Sequence, residues 1–194
     1  MEITSAQIKE LRDTTGISVM QCKRALEEAE GDMEKALIIL KRKRSEAAEK
    51  KSDRALGAGT VGAYVHNTNE VAALVLLSCE TDFVSKNEEF IALARDIAMH
   101  VAALGPKFIS RDAVDASAIQ KAKEVFHEEI KDKPADMQEK IMEGKLNSYF
   151  KEQILLEQPF IKNPDTTIGE LVTGAVQKFG ENVVISEISR VSVK

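Results

Sequence analysis

Gly57-Ala58-Gly59-Thr60-Val61-Gly62-Ala63-Tyr64-Val65-His66-Asn67-Thr68-Asn69-Glu70-Val71-Ala72-Ala73-Leu74-Val75-Leu76-Leu77 is the stretch on which the fold of this 194-residue chain turns. Its first six residues match the dinucleotide fingerprint GxGxxG, and Glu80 lies about where a ribose partner is expected. That motif works only between a buried strand and a helix, because the pyrophosphate rests on the helix N-terminus. Here Lys50-Lys51-Ser52-Asp53-Arg54 precedes the glycines and is too charged for a buried parallel strand. After them, Val61, Ala63 and Val65 alternate with a β period over Thr60 to His66. Asn67-Thr68-Asn69 marks a turn, and the continuous apolar run Val71 to Leu77 reads as a buried strand. The stretch is therefore a predicted β-hairpin, and the fold class is α+β.

C-terminal to the hairpin, Ser78-Cys79-Glu80-Thr81-Asp82-Phe83-Val84-Ser85-Lys86-Asn87 leads into an amphipathic helix running to about Leu104. Phe90, Ala94, Ile97, Ala98 and Val101 share one face of it. Asn87 is suited to the N-cap, and Glu88 and Glu89 to the positive end of the helix dipole. Asp82 and Phe83 sit in a polar junction between strand and helix. Two readings are open: exposed residues presented for binding, or Phe83 tucked under the hairpin with Asp82 capping a turn.

N-terminal to the hairpin, residues 4–40 read as three short helices. Thr4 with Gln7 and Ser18 with Gln21 are capping boxes, Thr15-Gly16 ends the first helix, and Gly31-Asp32 separates the second from the third. Cys22, Ala25, Leu26 and Ala29, then Met33, Ala36, Leu37 and Leu40, form helical stripes, which make Cys22 a small core residue. The domain reading is a three-helix head at 1–45, a basic helical connector at 46–56 and an α+β core at 57–194. Residues 41–54 hold seven Lys or Arg against three acids, a local +4 that leaves −9 for the rest of a chain of net −5. With no aromatic residue for base stacking, this run reads first as a solvated helix. Nucleic-acid binding through 41–54 is the alternative.

Within the core, residues 117–131 and 134–157 carry two helical patterns (Ile119, Ala122, Phe126, Ile130; then Met137, Ile141, Tyr149, Leu155) that meet at Lys131-Asp132-Lys133-Pro134. They predict a helical hairpin over 117–157. Thr167 with Glu170 caps a further helix that Gly180 ends. Val183 to Val193 reads as a last strand, joining the hairpin in a three-stranded antiparallel sheet.

Composition narrows the function. Two cysteines and three histidines, His127-Glu128 having no second histidine at metal-ligand spacing, argue against metal or thiol-pair catalysis. No apolar run approaches the ~20 residues of a membrane span. Met1-Glu2-Ile3-Thr4 opens without a basic and apolar leader, so a cytoplasmic location away from membranes is expected.

Cys79-Glu80-Thr81-Asp82-Phe83-Val84-Ser85-Lys86-Asn87 closely resembles the signature of the translation elongation factor Ts family. Leu11-Arg12-Asp13-Thr14-Thr15-Gly16 and Cys22-Lys23-Arg24-Ala25-Leu26 resemble that family's N-terminal module, itself similar to ubiquitin-associated domains. Ile97-Ala98-Met99-His100-Val101-Ala102-Ala103, Glu139-Lys140-Ile141-Met142-Glu143-Gly144-Lys145-Leu146, Glu157-Gln158-Pro159-Phe160 and Gly180-Glu181-Asn182 match in the same order.

The resemblance implies a guanine-nucleotide exchange factor for elongation factor Tu in translation elongation. It implies no covalent catalysis and no cofactor beyond the GDP and magnesium held by the partner. Thr81, Asp82, Phe83 and Val84 would be the element that dislodges magnesium, Phe83 entering an apolar pocket and Asp82 disturbing the polar network around the ion. Leu11 and Met20 of the head are implied partner contacts. His100 is either a contact near the nucleotide-binding face or a polar edge residue of its helix. Longer members carry two copies of the core unit and this chain one, which implies homodimerisation through the sheet. Direct nucleic-acid contact is not implied. Two departures stand out: Ser186-Glu187 where many members have a basic pair, and bulkier residues over Gly16-Ile17-Ser18-Val19-Met20.

Overall fold

The hairpin forms as its alternation requires: β1 (Ala58–Val65) pairs antiparallel with β2 (Val71–Cys79), Ala63 opposite Leu74. The structure is a computed structural model that describes residues 3–131 and 133–193. Met1 and Glu2 of the opening segment, and Asp132 of the expected Lys131–Pro134 turn, lie outside the described residues. The glycine-rich motif opens β1 and no helix follows it, so no dinucleotide site forms there. β5 (Val183–Ser192) pairs with the other edge of β2, giving a three-stranded antiparallel sheet in the order β1-β2-β5. The register shifts where Leu77 opposes Ile185 and Leu76 opposes Glu187. Ser186 is the extra residue of this bulge, its hydroxyl 2.7 Å from that of Ser78.

One face of the sheet packs on α5 (Glu88–Leu104). Ala73, Val75, Leu77 and Cys79 of β2 and Val183 and Ile185 of β5 are buried there, as are Phe90, Ala94, Ile97, Ala98 and Val101 of the helix. Strand β1 approaches α5 so closely that a Cβ on Gly62 would lie 2.2 Å from the Ala94 carbonyl oxygen, which is why the last glycine of the motif is a glycine. Gly105, at φ +58°, ends α5.

The apolar run of β2 is buried on this face alone. Cross-strand partners on the other face are Val61–Leu76, Ala63–Leu74, Val65–Ala72 and Ala72–Val191. Of these, Val61 is 61%, Val65 62%, Leu74 50% and Val191 71% exposed, an apolar surface on the outside of the sheet.

Helix α6 (Ala116–Ile130) and α7 (Ala135–Lys151) pack together over Ala122, Phe150 and Ile154, with Phe126, Tyr149 and Phe150 meeting edge to face. The second helix ends at Lys151, short of the residue 157 expected from periodicity. Leu155 belongs to a separate short turn, Leu155–Glu157, because its N–H donates to the Phe108 carbonyl at 2.8 Å and draws the chain out of the helix. A two-stranded ribbon absent from the sequence-based expectation follows, β3 (Pro159–Phe160) with β4 (Asn163–Thr167). It is too short to leave a periodic signal.

Packing divides the chain into two units: residues up to Ala55 with Thr173–Asn182, and Leu56–Val172 with the residues from Val183 on. In the first, α1 (Ser5–Thr15), α2 (Val19–Glu28) and α3 (Met33–Glu49) enclose Leu11, Ile17, Cys22, Ala25, Leu26, Ala29, Ala36 and Leu40. Thr4 and Gln7 form the full capping box. Ser18 accepts from the Gln21 N–H, and Asp32 from the Lys35 N–H. Helix α3 runs unbroken past residue 45, so the start of the basic connector continues the third helix of the head. α8 (Ile168–Phe179) begins at the reciprocal Thr167–Glu170 cap, and its residues from Thr173 on group with the head. There Gln177 accepts from Arg44 at 3.3 Å and donates to Gln21 at 2.9 Å, and the buried Asn182 amide donates to the carbonyls of Ser52 and Arg54.

Candidate functional site

The junction between β2 and α5 is a single helical turn, α4 (Asp82–Ser85), where the sequence predicted a loop. One turn lies below the length at which helical periodicity can be read. Thr81 is extended and starts the turn. The Ser85, Lys86 and Asn87 N–H groups then donate to the carbonyls of Thr81, Asp82 and Val84. Asn87 ends this segment by capping α5, its side chain accepting from the Glu89 N–H at 2.9 Å.

The turn is fastened from beneath. Val84 and Ser85 are buried. The Thr60 hydroxyl of β1 donates to the Ser85 carbonyl, the Ser85 hydroxyl to the Asp82 carbonyl at 3.1 Å, and the Cys79 thiol to the Thr81 carbonyl at 3.2 Å. Held in this way, the backbone has one orientation, which turns Phe83 outward at 83% exposure. The tucked reading of Phe83 is thereby excluded: Val84, its neighbour, fills the space under the hairpin. Asp82 also faces solvent and pairs with Lys86 at 2.7 Å, an i,i+4 ion pair that holds its carboxyl below the ordinary 3.8.

The other expected site residues divide by burial. Met20 is 61% exposed at the start of α2, and Val19 and Ile38 add apolar surface to the same head. Leu11 is fully buried in the head's core. It lies on the inner stripe of α1 in the cluster that holds Ile17, Cys22, Ala25 and Leu26, which corrects the expectation that it touches a partner.

His100 is also fully buried, which corrects both of its readings, contact and polar edge. Its Nδ1 accepts the Ile161 N–H at 3.4 Å, leaving Nε2 to donate to Gln158 Oε1 at 2.9 Å. Gln158 in turn donates to the Glu152 carbonyl at 2.6 Å. Burial pushes the imidazole below its ordinary 6.5.

Thr60, Cys79 and Lys86 are the supporting residues that sequence reasoning passed over. Lys86 alone had a local signal, four residues after an acid. Both cysteines are buried, and among the described residues no three His, Cys, Asp or Glu side chains gather where a metal ion would sit.

A family model described as Elongation factor TS matches residues 49–194. The chain is 49% identical over 190 residues to Elongation factor Ts of Carboxydothermus hydrogenoformans, covering 97% of this chain and 88% of that protein. It is 45% identical over 194 residues to Elongation factor Ts of Thermodesulfovibrio yellowstonii, covering 100% and 97%. With Elongation factor Ts of Fervidobacterium nodosum it shares 43% identity over 195 residues, covering 100% and 99%. On the fold, the outward turn at Asp82-Phe83 and these near-full-length matches, the chain belongs to the elongation factor Ts family.

Proposed function

We propose that this protein is the guanine-nucleotide exchange factor of elongation factor Tu in translation elongation, and that its loop at Thr81, Asp82, Phe83 and Val84 promotes GDP release by dislodging the partner's magnesium. Family membership supports the exchange role. The observation that carries the loop mechanism is Phe83, an aromatic side chain 83% exposed on a turn fastened at Val84 and Ser85. An aromatic ring held outward on a fastened turn is pre-organised to fill a partner's pocket, as aromatic anchors at interfaces do. Phe83 enters an apolar pocket while Asp82 disturbs the polar shell of the ion, whose charge otherwise organises the diphosphate oxygens.

Exchange of this kind makes and breaks no covalent bond and uses no cofactor of the factor's own. It needs tight binding to the empty GTPase and weaker binding to the filled one, and the coupling is reciprocal. A nanomolar nucleotide represents about 12 kcal/mol, and one aromatic anchor about 2–4 kcal/mol. A second contact surface is therefore required. The three-helix head, similar to ubiquitin-associated domains and bearing the exposed Met20, is its source.

The open apolar face of the sheet supports a homodimer, with two single-core chains covering Val61, Val65, Leu74 and Val191 against one another. A cytoplasmic site of action follows from work on the translation machinery. No helix among the described residues is long and apolar enough to cross a membrane. The alternative reading, nucleic-acid binding through residues 41–54, loses support from the pairing of its cations. Arg42 lies 3.1 Å from Glu28 and 3.5 Å from Glu46, Lys43 also pairs with Glu28, and Arg44 bonds Gln177.

Release of labelled GDP from elongation factor Tu tests the proposal: sub-stoichiometric protein accelerates it by orders of magnitude. Absence of acceleration by the intact chain, together with steeply salt-dependent RNA binding, would shift the reading to the alternative.

A further inference from the structure

The Asp82–Lys86 pair has no evident structural purpose. Its side chains are 75% and 76% exposed, and ion pairs that open to solvent contribute little to folding. The turn that carries them is already fastened by Val84, Ser85 and the Thr60 hydroxyl. Between Ser78 and Glu89 stand four acids, Glu80, Asp82, Glu88 and Glu89, and a single cation, Lys86. The surface that this tip would approach bears a nucleoside diphosphate, so an uncompensated carboxylate at the leading position meets like charge before any contact forms.

We propose that Lys86 is a positioning residue for exchange: it holds the Asp82 carboxylate along α4 in the free protein and carries it, charge-compensated, to the diphosphate-bearing face of the partner. The proposal rests on the exchange reading of the Thr81–Val84 loop. The backbone reinforces the arrangement, since the Lys86 N–H donates to the Asp82 carbonyl at 3.2 Å while its ammonium reaches the carboxylate at 2.7 Å. Both ends of the lysine are thus referred to one residue, and the ammonium remains free to exchange its acceptor on docking because nothing buries it.

The experiment is GDP release from elongation factor Tu, at low and near-physiological salt, with Lys86→Met, Lys86→Arg, Asp82→Asn, the double variant Asp82→Asn/Lys86→Met, and Phe83→Ala as the control for the loop. Lys86→Met lowers kcat/KM about two- to threefold at low salt, mainly through KM, and the loss shrinks as salt screens the encounter. Lys86→Arg restores it, and in the Asp82→Asn background Lys86→Met adds nothing. In the free protein, the Asp82 carboxyl titrates at higher pH in Lys86→Met than in the wild type by NMR. An unchanged Asp82 titration, an unchanged kcat/KM, or an equal loss in the Asp82→Asn background overturns the proposal. If Phe83→Ala loses exchange while Lys86→Met does not, only the role of Lys86 falls. If Phe83→Ala exchanges as well as wild type, the loop reading falls and the role of Lys86 with it.

Discussion

His100 Nε2 lies 2.9 Å from Gln158 Oε1, a buried hydrogen bond that joins two motifs 58 residues apart in the chain. The first motif is on α5, which carries the sheet, and the second leads into β3. The bond therefore fixes where the segment after the helical hairpin returns to the core. The Ile161 N–H, donating to Nδ1, fixes the tautomer, and the Phe160 ring stands 6.1 Å from the imidazole. A group held in this way is satisfied only when neutral, because a protonated Nδ1 could no longer accept.

Stability is expected to fall with pH as a result. Above the ordinary 6.5 the ring is neutral in folded and unfolded chains alike. Below it the unfolded chain binds a proton that the folded ring refuses, so the unfolded state gains as pH drops towards the depressed folded value. Urea midpoints measured at about pH 7.5 and about pH 5.5 should show this loss, and His100→Gln should reduce the difference. Equal losses in both proteins would assign the effect to other groups.

Phe83→Ala and Leu26→Ala separate binding from folding. Phe83 is 83% exposed and Leu26 fully buried in the head. Loss of an interface aromatic costs about 2–4 kcal/mol of partner affinity, roughly 30- to 1,000-fold in exchange efficiency, with little change in melting temperature. Leu26→Ala should instead destabilise the chain by about 2–5 kcal/mol through the cavity it leaves. Equal exchange by the two variants, after correction for the fraction folded, would remove Phe83 as the anchor.

Gly62→Ala should be the more damaging of two small changes at neighbouring positions of β1. A Cβ at Gly62 would meet the α5 backbone at 2.2 Å, and backbone cannot rotate aside as a side chain can. Denaturant unfolding should register a loss of about 3 kcal/mol, at the upper end for overpacking. Ala63→Gly, on the exposed face of the same strand, should cost only about 1 kcal/mol. Comparable losses would mean that α5 gives way.

The proposed homodimer predicts that charge on the outer sheet face dissociates it. Leu74→Glu, on the central strand and 50% exposed, should convert a sedimenting dimer to a folded monomer with little loss of chain stability. A wild-type chain that sediments as a monomer at the concentrations of the exchange assay would count against the dimer.

Much of this protein is legible in the order of its residues. The alternation of Val61, Ala63 and Val65, the stripe from Phe90 to Val101, and the caps at Thr4, Ser18, Asp32, Asn87 and Thr167 are local codes, written at spacings that backbone geometry imposes. They were enough to set aside a nucleotide-binding fingerprint and to place the hairpin, its helix and the third strand. The order of the motifs around Asp82 and Phe83 pointed to the family in the same way.

The structure alone decided which of those residues reach the surface. Phe83 and Val84 are adjacent and both apolar, yet one faces solvent and the other the core. The difference is set by Thr60 on another strand, which holds the Ser85 carbonyl. Leu11 and His100 carried motif signals as clear as that of Met20 and are buried, because burial is a property of what packs against a residue from distant sequence. The run Val71 to Leu77 reads as a buried strand, and α5 covers only one of its faces, leaving Leu74 50% exposed. Sequence determined periodicity, capping and family, which are local or inherited. Tertiary structure determined exposure, pairing and protonation, because each depends on neighbours that chain order does not name.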